Sequence, residues 1–238
     1  MLFQLNPLEF SILYGITFFI IIVKAIISIY IALKIKARKE QSKDTLFMTG
    51  ILIMVVALLV SRILFFFFDF YLTSFIVTNY ILLGSLWVWK CAALITLVGV
   101  ASLIFITDKK IINFKLKGVI AYLVLGGMVV LFFYPVNTVA DFNVVSTIFI
   151  GLALAFIFVF VNFVYIIKHS KDQVKKAATI LAISTALYLI GSALVTSALV
   201  DALRAVIGDV ITIVLYFTQA GFKVVGITLL AYGATLWG

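Results

Sequence analysis

The stretch "YFTQAGFKVVGITLL", residues 216–230, has the composition of the middle of a membrane-spanning helix, with one lysine, Lys223, near its centre. The rest of the chain shares this character: 66% of its 238 residues are hydrophobic and 11% are charged, and the mean hydropathy is +1.32. Soluble domains are about half apolar and about one quarter charged. A water-soluble core could not bury this much apolar surface, so lipid is the predicted solvent for most of the chain.

Seven segments are apolar enough to cross a bilayer, whose hydrocarbon core of about 30 Å needs about 20 residues per helix. The fourth is the shortest because Pro135 ends it within "FFYPVN". Long linkers and low-complexity tracts are absent, so residues 1–238 are predicted to form one all-α, seven-helix transmembrane domain. The predicted helices lie near residues 8–34, 45–71, 79–107, 117–134, 144–168, 175–200 and 209–236.

The basic residues predict the orientation of this domain. Thirteen of them follow the first, third and fifth helices, whereas the opposite loops offer only Arg204, beside Asp201 and Asp209. The positive-inside rule therefore puts the N-terminus outside and the C-terminus in the cytoplasm, as a multi-pass protein of the plasma (cytoplasmic) membrane. This asymmetry explains most of the net charge of +9 and removes nucleic acid as a predicted partner. The thirteen are Lys34, Lys36, Arg38, Lys39, Lys43, Lys109, Lys110, Lys115, Lys117, Lys168, Lys171, Lys175 and Lys176.

A weak internal echo links the third and seventh helices. "KCAALITL" (90–97) resembles "KVVGITL" (223–229), and an aspartate precedes each lysine, Asp69 by 21 residues and Asp201 by 22. With one gap, helices one to three align with helices five to seven. Such a possible 3+1+3 pseudo-repeat would place a ligand site between the two bundles. Chance similarity between two apolar segments is the alternative.

Four basic residues fall inside predicted spans: Lys24, Arg62, Lys90 and Lys223. A charge at the bilayer centre costs on the order of 3 kcal/mol, so ion pairing, a cavity or snorkelling must offset it. Arg62 and Lys90 are placed to snorkel to the outer headgroups, whereas Lys24 and Lys223 lie deeper. If the four groups converge, the cavity suits an anion, a carboxylate-bearing molecule or a lipid headgroup. If they are separate, no such site exists.

Other polar and aromatic side chains accompany these cations. Arg62 and Asp69 are seven residues apart and share one helix face. Trp87 precedes Lys90 by three residues, which permits a cation–π contact. The outer ends of helices two and three are aromatic, which predicts either an interfacial belt or a ligand-lining box. A polar stripe on helix six and one residue of helix seven complete the set: Ser184, Tyr188, Ser192, Thr196 and Gln219.

The scarcity of catalytic residue types argues against an enzyme. Cys91 is the only cysteine and His169 the only histidine, which removes His/Cys zinc sites, bis-histidine haem and intramembrane Ser-His or Cys-His catalysis. Paired-aspartate metal motifs are missing, and the acidic residues are scattered. No metal and no catalytic residue is predicted.

The helix count, the orientation and the lysine in "FKVVGITLL" (222–230) resemble the microbial rhodopsins. That resemblance implies retinal bound to Lys223 as a Schiff base, with a carboxylate counterion in helix three. Helix three here, "LLGSLWVWKCAALITL" (82–97), contains no acid and has Lys90 instead, and Gln219 stands one turn before Lys223. A protonated Schiff base would lack its counterion.

The predicted function is therefore a non-enzymatic, receptor-like or sensory membrane protein that binds an anionic or amphiphilic small molecule or lipid at an electropositive intramembrane site. A transporter or channel for such a species is the first alternative, and a retinal protein is the second. Membrane lipids, the ligand and a cytoplasmic signalling partner are the expected partners. The predicted first contacts are Lys223, Lys90 and Lys24, the orienting groups are Gln219, Tyr188 and Trp87, and the outer mouth is braced by Arg62 and Asp69.

Overall fold

The structure is a computed structural model that describes residues 7–111, 115–194, 200, 203–204, 206–208 and 210–237. It is 89% helical, and the described residues contain no strand. An all-helical protein was the prediction, and it is confirmed. The α-helices are α1 (Pro7–Glu40), α2 (Leu46–Phe67), α3 (Leu83–Ile111), α4 (Val119–Phe133), α5 (Val139–Ala153), α6 (Ile157–His169), α7 (Asp172–Ala193) and α8 (Val210–Leu236).

Among the described residues, six helical segments are long and apolar enough to cross a membrane, which supports a membrane-embedded protein. One of them joins α5 and α6 through the short 3-10 turn Leu154–Phe156, where a single helix over 144–168 was predicted. The fourth predicted segment is α4, whose 15 residues span about 22 Å and are shorter than a bilayer core. The third helix begins four residues later than expected, because the 3-10 turn Val77–Ile81 and the extended residue Leu82 precede it.

The contacts of the chain cluster into two compact units. Unit 1 is residues 49–159 and contains α3, α4, α5 and most of α2. Unit 2 is residues 7–48 and 160–237 and contains α1, α7, α8 and most of α6. The prediction of one domain over residues 1–238 stays a prediction, and each unit is described by itself.

In unit 1, α3 packs against α4 and α4 against α5. The aromatic pairs Trp87–Phe132 and Phe105–Tyr122 join α3 and α4 at opposite ends, so these two helices are antiparallel. Their connection is closed by Asp108, whose carboxylate accepts hydrogen bonds from the backbone N–H groups of Leu116 and Gly118. Asp108 is 1% exposed, although the sequence suggests only an acid at a helix end.

In unit 2, α8 packs against both α7 and α1. Gly191 of α7 faces residues 219–223 of α8, and Gly226 of α8 faces residues 184–188 of α7, so these two helices are antiparallel. Helices α1 and α8 run parallel. Their C-terminal ends meet where Arg38 donates to the Trp237 carbonyl at 2.7 Å, and residues 11–19 lie beside residues 217–225 nearer the N-terminal ends.

Candidate functional site

The eight predicted site residues divide equally between the two units. Unit 1 contains Arg62, Asp69, Trp87 and Lys90, and unit 2 contains Lys24, Tyr188, Gln219 and Lys223. Convergence of all eight on one cavity therefore stays a prediction. Thr196 of the polar stripe, and the aspartates Asp201 and Asp209, lie outside the described residues.

In unit 1, the Lys90 ammonium group binds the end of α4. Its Nζ donates to the carbonyl oxygens of Phe132 and Tyr134, each at 2.9 Å. Both acceptors lie in the last turn of α4 or just beyond it, before Pro135. The C-terminal carbonyls of a helix have no partner within the helix and carry the negative end of its dipole. Lys90 therefore acts as a positively charged cap for α4.

The burial of Lys90 decides between the two explanations offered by the sequence. The residue is 6% exposed, so its side chain lies inside the protein and does not snorkel to the headgroups. Its Nζ also lies 5.9 Å from the centroid of the Trp87 ring, which confirms the predicted cation–π contact. Two carbonyls and one ring account for the environment of this cation without a ligand.

Arg62 lies near the C-terminal end of α2, and Asp69 lies in the π-helical turn that follows it. Residues Phe68–Leu72 form a π-helical turn, closed by the Thr73 N–H bond to the Phe68 carbonyl at 3.0 Å. Both charged side chains are half-buried, and the Arg62 charge interacts favourably with the Asp69 carboxylate. π-helical turns are frequent at functional sites. The role of Arg62 and Asp69 as a brace for a ligand site stays a prediction.

The outer aromatic residues of unit 1 divide into a buried cluster and an exposed group. Trp89 lies 5.0 Å from the Phe142 ring and 5.8 Å from the Phe149 ring, and Phe68 stacks on Phe142 at 6.3 Å. These rings pack on one another in one cluster. The exposed group is Phe67, Tyr71 and Trp87, which suits an interfacial belt.

In unit 2, a close approach of α7 and α8 brings three predicted residues together. A Cβ at Gly191 would lie 3.2 Å from the Gln219 carbonyl oxygen and 3.3 Å from Lys223 Cγ. A Cβ at Gly226 would lie 3.1 Å from the Tyr188 backbone nitrogen. The glycines thus allow contact between the two backbones, and Tyr188, Gln219 and Lys223 line the same helix–helix seam.

Lys24 and Lys223 lie on neighbouring, parallel helices but not at one depth. Residues 11–19 of α1 lie beside residues 217–225 of α8, so Lys223 is level with a part of α1 that precedes Lys24. Lys24 is five residues beyond Phe19, which is about 7 Å along the helix axis.

Three polar residues of α1, α7 and α8 are buried. Lys24 is 4% exposed, Gln219 is 2% exposed and Ser184 is 1% exposed. Ser184 Oγ has no hydrogen-bond partner among the described residues, which is uncommon for a buried hydroxyl. Lys24 therefore does not snorkel, and the seam holds a polar atom whose hydrogen-bonding capacity is unused.

An apolar groove of about 560 Å³ lies between α1 and α8. Its lining residues are Ser11, Ile12, Gly15, Ile16, Phe19, Phe217, Ala220, Gly221, Val224 and Val225. No neighbouring heavy atom lies within 4 Å of where a Cβ of Gly15 or Gly221 would be. The N-terminal halves of α1 and α8 are thus loosely packed against each other, unlike α7 and α8.

Glu9 is a buried acidic residue that the sequence did not single out. Glu9 lies in the first turn of α1 and is 2% exposed. The burial of Glu9 could have been predicted from its spacing. Glu9, Leu13 and Thr17 follow one another at intervals of four residues and so share the buried face of α1. Among the described residues, no group of three or more His, Cys, Asp or Glu side chains could hold a metal ion.

Comparison with known proteins adds no relative to these observations: no family model, curated protein or solved structure matches the chain.

Proposed function

We propose that the protein is a non-enzymatic, receptor-like membrane protein that binds an anionic or amphiphilic small molecule or lipid within unit 2. The proposal includes seven membrane crossings, with α4 as the shortest, an external N-terminus and a cytoplasmic C-terminus in the plasma membrane. One observation carries the binding site: Tyr188, Gln219 and Lys223 line the α7–α8 seam. The buried Ser184 hydroxyl of the same helix α7 has no hydrogen-bond partner among the described residues.

Charge supports an anionic ligand. The described acidic residues of unit 2 lie at helix ends or in connections, namely Glu9, Glu40, Asp44 and Asp172. Glu9 is 15 residues before Lys24, which is about 22 Å along α1. Two ammonium groups within the apolar spans of one unit give it a positive potential, which favours binding of an anion in a medium of low dielectric.

Hydrogen bonding supports a ligand with oxygen acceptors. An ammonium group offers three donors, and the Gln219 amide and the Ser184 and Tyr188 hydroxyls can donate as well. A carboxylate or phosphate group could accept from several of these groups at once, and charge-assisted bonds of this kind are the stronger ones. Ser184, whose hydroxyl is buried without a partner, is the group that gains most from a ligand.

Lys90 has a different role in this proposal from the one that the sequence suggested. It binds the end of α4 through two carbonyl oxygens, so we treat it as a group that stabilises unit 1. Arg62 and Asp69 keep the role of a brace at the outer end of α2. The proposed ligand contacts are Lys24, Lys223, Gln219, Tyr188 and Ser184.

The binding test uses thermal unfolding of the full chain in dodecyl maltoside with dodecyl phosphate as the probe. Dodecyl phosphate should raise the midpoint, since a ligand present at 100 times its Kd stabilises by about 2.7 kcal/mol. Lys24→Met and Lys223→Met should each lose most of the shift. Lys223→Arg, which keeps the charge, should retain part of it.

Lys90→Met is the matched control for these variants, because it also removes one intramembrane ammonium group. We expect it to be less stable without the probe but to show the same shift with dodecyl phosphate. Dodecanol, which lacks the charge, should shift none of the proteins. Equal shifts in the wild type, Lys24→Met and Lys223→Met would overturn the proposed site.

A transporter or channel for the same species is the second candidate, and the loose packing of the N-terminal halves of α1 and α8 favours it, because loosely packed helices can separate. Proteoliposomes loaded with a pH-independent anion reporter would separate the two functions. Uptake or current that is abolished in Lys223→Met would identify transport, whereas binding without flux would identify a receptor.

A further inference from the structure

One end of unit 2 carries a dense group of exposed lysines. They lie in the last turns of α1, in the connection to α2, at the end of α6 and at the start of α7. We call this group the basic end. Its members are Lys34, Lys36, Lys39, Lys43, Lys168, Lys171, Lys175 and Lys176.

Packing of three aromatic residues shows that these segments share one end of the unit. Phe47, just after the first connection, lies 5.2 Å from Trp237 and 6.1 Å from Phe163, measured between ring centroids. Phe163 in α6 lies 6.3 Å from Trp237 at the end of α8. The lysines that flank Phe47 and Phe163 in sequence are therefore neighbours in space, although more than 120 residues separate them in the chain.

Arg38 differs from the neighbouring lysines because its side chain is used inside the protein. Its guanidinium donates to the carbonyl oxygens of Trp237 and Thr235, at 2.7 and 2.5 Å, and caps the end of α8. Arg38 is half-buried, whereas all eight lysines are exposed. One basic residue thus holds two helices together, and the lysines remain at the surface.

The charge of this surface is strongly unbalanced. Against eight lysines, the same segments contain three acidic residues, Glu40, Asp44 and Asp172, which leaves an excess of five positive charges. The lysines also lie close to the apolar spans. Lys34 Nζ lies over the Tyr30 ring at 5.7 Å from its centroid. The connections are short: residues 41–45 join α1 to α2, and residues 170–171 join α6 to α7.

We infer that the basic end binds the headgroups of acidic phospholipids in the membrane that holds the protein. Short connections keep the ammonium groups at headgroup level, where lysines are attracted to an anionic membrane surface. An acidic soluble protein is the competing partner, but these connections offer it no protruding surface. The inference is independent of the proposed ligand site, since none of its residues belongs to that site.

Trp237 supplies a native fluorescent reporter, because it packs against Phe47 and Phe163 at this end. The full chain carrying Trp87→Phe and Trp89→Phe would be placed in nanodiscs with equal fractions of brominated phosphatidylglycerol or brominated phosphatidylcholine. We expect the acidic lipid to quench Trp237 at least twofold more strongly. If the double variant does not fold, the difference between wild type and Trp237→Phe gives the same quantity.

The charge variant replaces Lys168, Lys171, Lys175 and Lys176 by Gln and should remove most of the preference. A matched control replaces Lys109, Lys110, Lys115 and Lys117 of unit 1 by Gln, which is the same change in charge, and should keep the preference. Loss of preference in both variants would mean that only net charge matters and would overturn the inference. Equal quenching of Trp237 by the two brominated lipids, in the protein that keeps all its lysines, would also overturn the inference. An acidic protein would then be the remaining candidate partner.

Discussion

Lys90 and Lys223 occupy similar positions in sequence, within "KCAALITL" and "KVVGITL", and very different positions in the structure. Lys90 is buried and donates to two carbonyl oxygens at the end of a short helix. Lys223 is half-buried, and its stem lies against Gly191 in a seam between two long helices. The comparison teaches that an intramembrane lysine can be explained by backbone groups alone, and that only its neighbours distinguish a structural cation from a candidate ligand contact.

The largest effect that tests this comparison is on stability. Lys90→Met removes two charge-assisted hydrogen bonds and leaves two half-buried carbonyls at the end of α4 without this donor, so we expect a loss of about 3 kcal/mol. Lys223→Met keeps an unbranched stem in the seam and should lose less than about 1 kcal/mol. Unfolding by sodium dodecyl sulfate in mixed micelles, followed by circular dichroism, measures both. Equal losses would contradict the distinction between the two lysines.

The next effect concerns the close approach that holds Lys223 in place. In Gly226→Ala, the new Cβ would lie 3.0 Å from the Ser184 carbonyl oxygen, and because that oxygen belongs to the backbone, α7 and α8 must separate. We expect a loss of about 2 kcal/mol in the same unfolding assay. Gly221→Ala is the control on the same helix, since no atom lies within 4 Å there. It should gain about 0.5 kcal/mol, and a similar loss in both would argue against a close seam.

A smaller effect tests how the carbonyls reach Lys90. The connection after α4 is fixed by a capping box at the start of α5, in which Thr138 Oγ1 accepts from the Asp141 N–H at 3.2 Å. Thr138→Ala should cost about 1 kcal/mol. In the Lys90→Met background the same change should cost less. The connection then no longer has to hold the Phe132 and Tyr134 carbonyls in place for the Lys90 ammonium group. Full additivity in this double-mutant cycle would show that the cap and Lys90 act independently.

The smallest effect concerns the aromatic neighbour of Lys90. Trp87→Leu removes a cation–π contact but keeps both carbonyl bonds, so we expect a loss of about 0.5 kcal/mol. Trp87 is 45% exposed, and its large ring is otherwise a surface group. A loss as large as that of Lys90→Met would mean that the ring, and not the end of α4, holds the ammonium group.

Much of the architecture follows from local patterns. Apolar runs of sufficient length predict helices wherever they occur, and the bounds of α1, α2, α7 and α8 agree with the prediction to within several residues at most ends. The division at Leu154–Phe156 was not predictable, since "GLALAF" (151–156) carries no proline and reads as continuous helix. The π-helical turn at Phe68–Leu72 likewise has no mark in the sequence, because the same residues also suit an α-helix.

The candidate site was predictable in residue types but not in grouping. Sequence singled out every intramembrane cation because charge is rare in an apolar chain. It could not place Lys223 beside Gly191, since these two residues are 32 positions apart in the chain and meet only through the packing of α7 on α8. Nor could it assign Lys90 to the end of α4, since its carbonyl partners lie more than 40 residues away.

By itself, the sequence determined that the protein is helical and suited to a membrane, because the free energy of transferring apolar side chains depends on composition and not on arrangement. It also determined which side chains have no place in lipid. The tertiary structure alone decided how those side chains are accommodated, because a buried charge is stabilised by whichever groups packing brings within about 3 Å. For Lys90 these are the carbonyls at the end of a neighbouring helix, and for Lys223 the setting is a glycine seam lined by polar side chains.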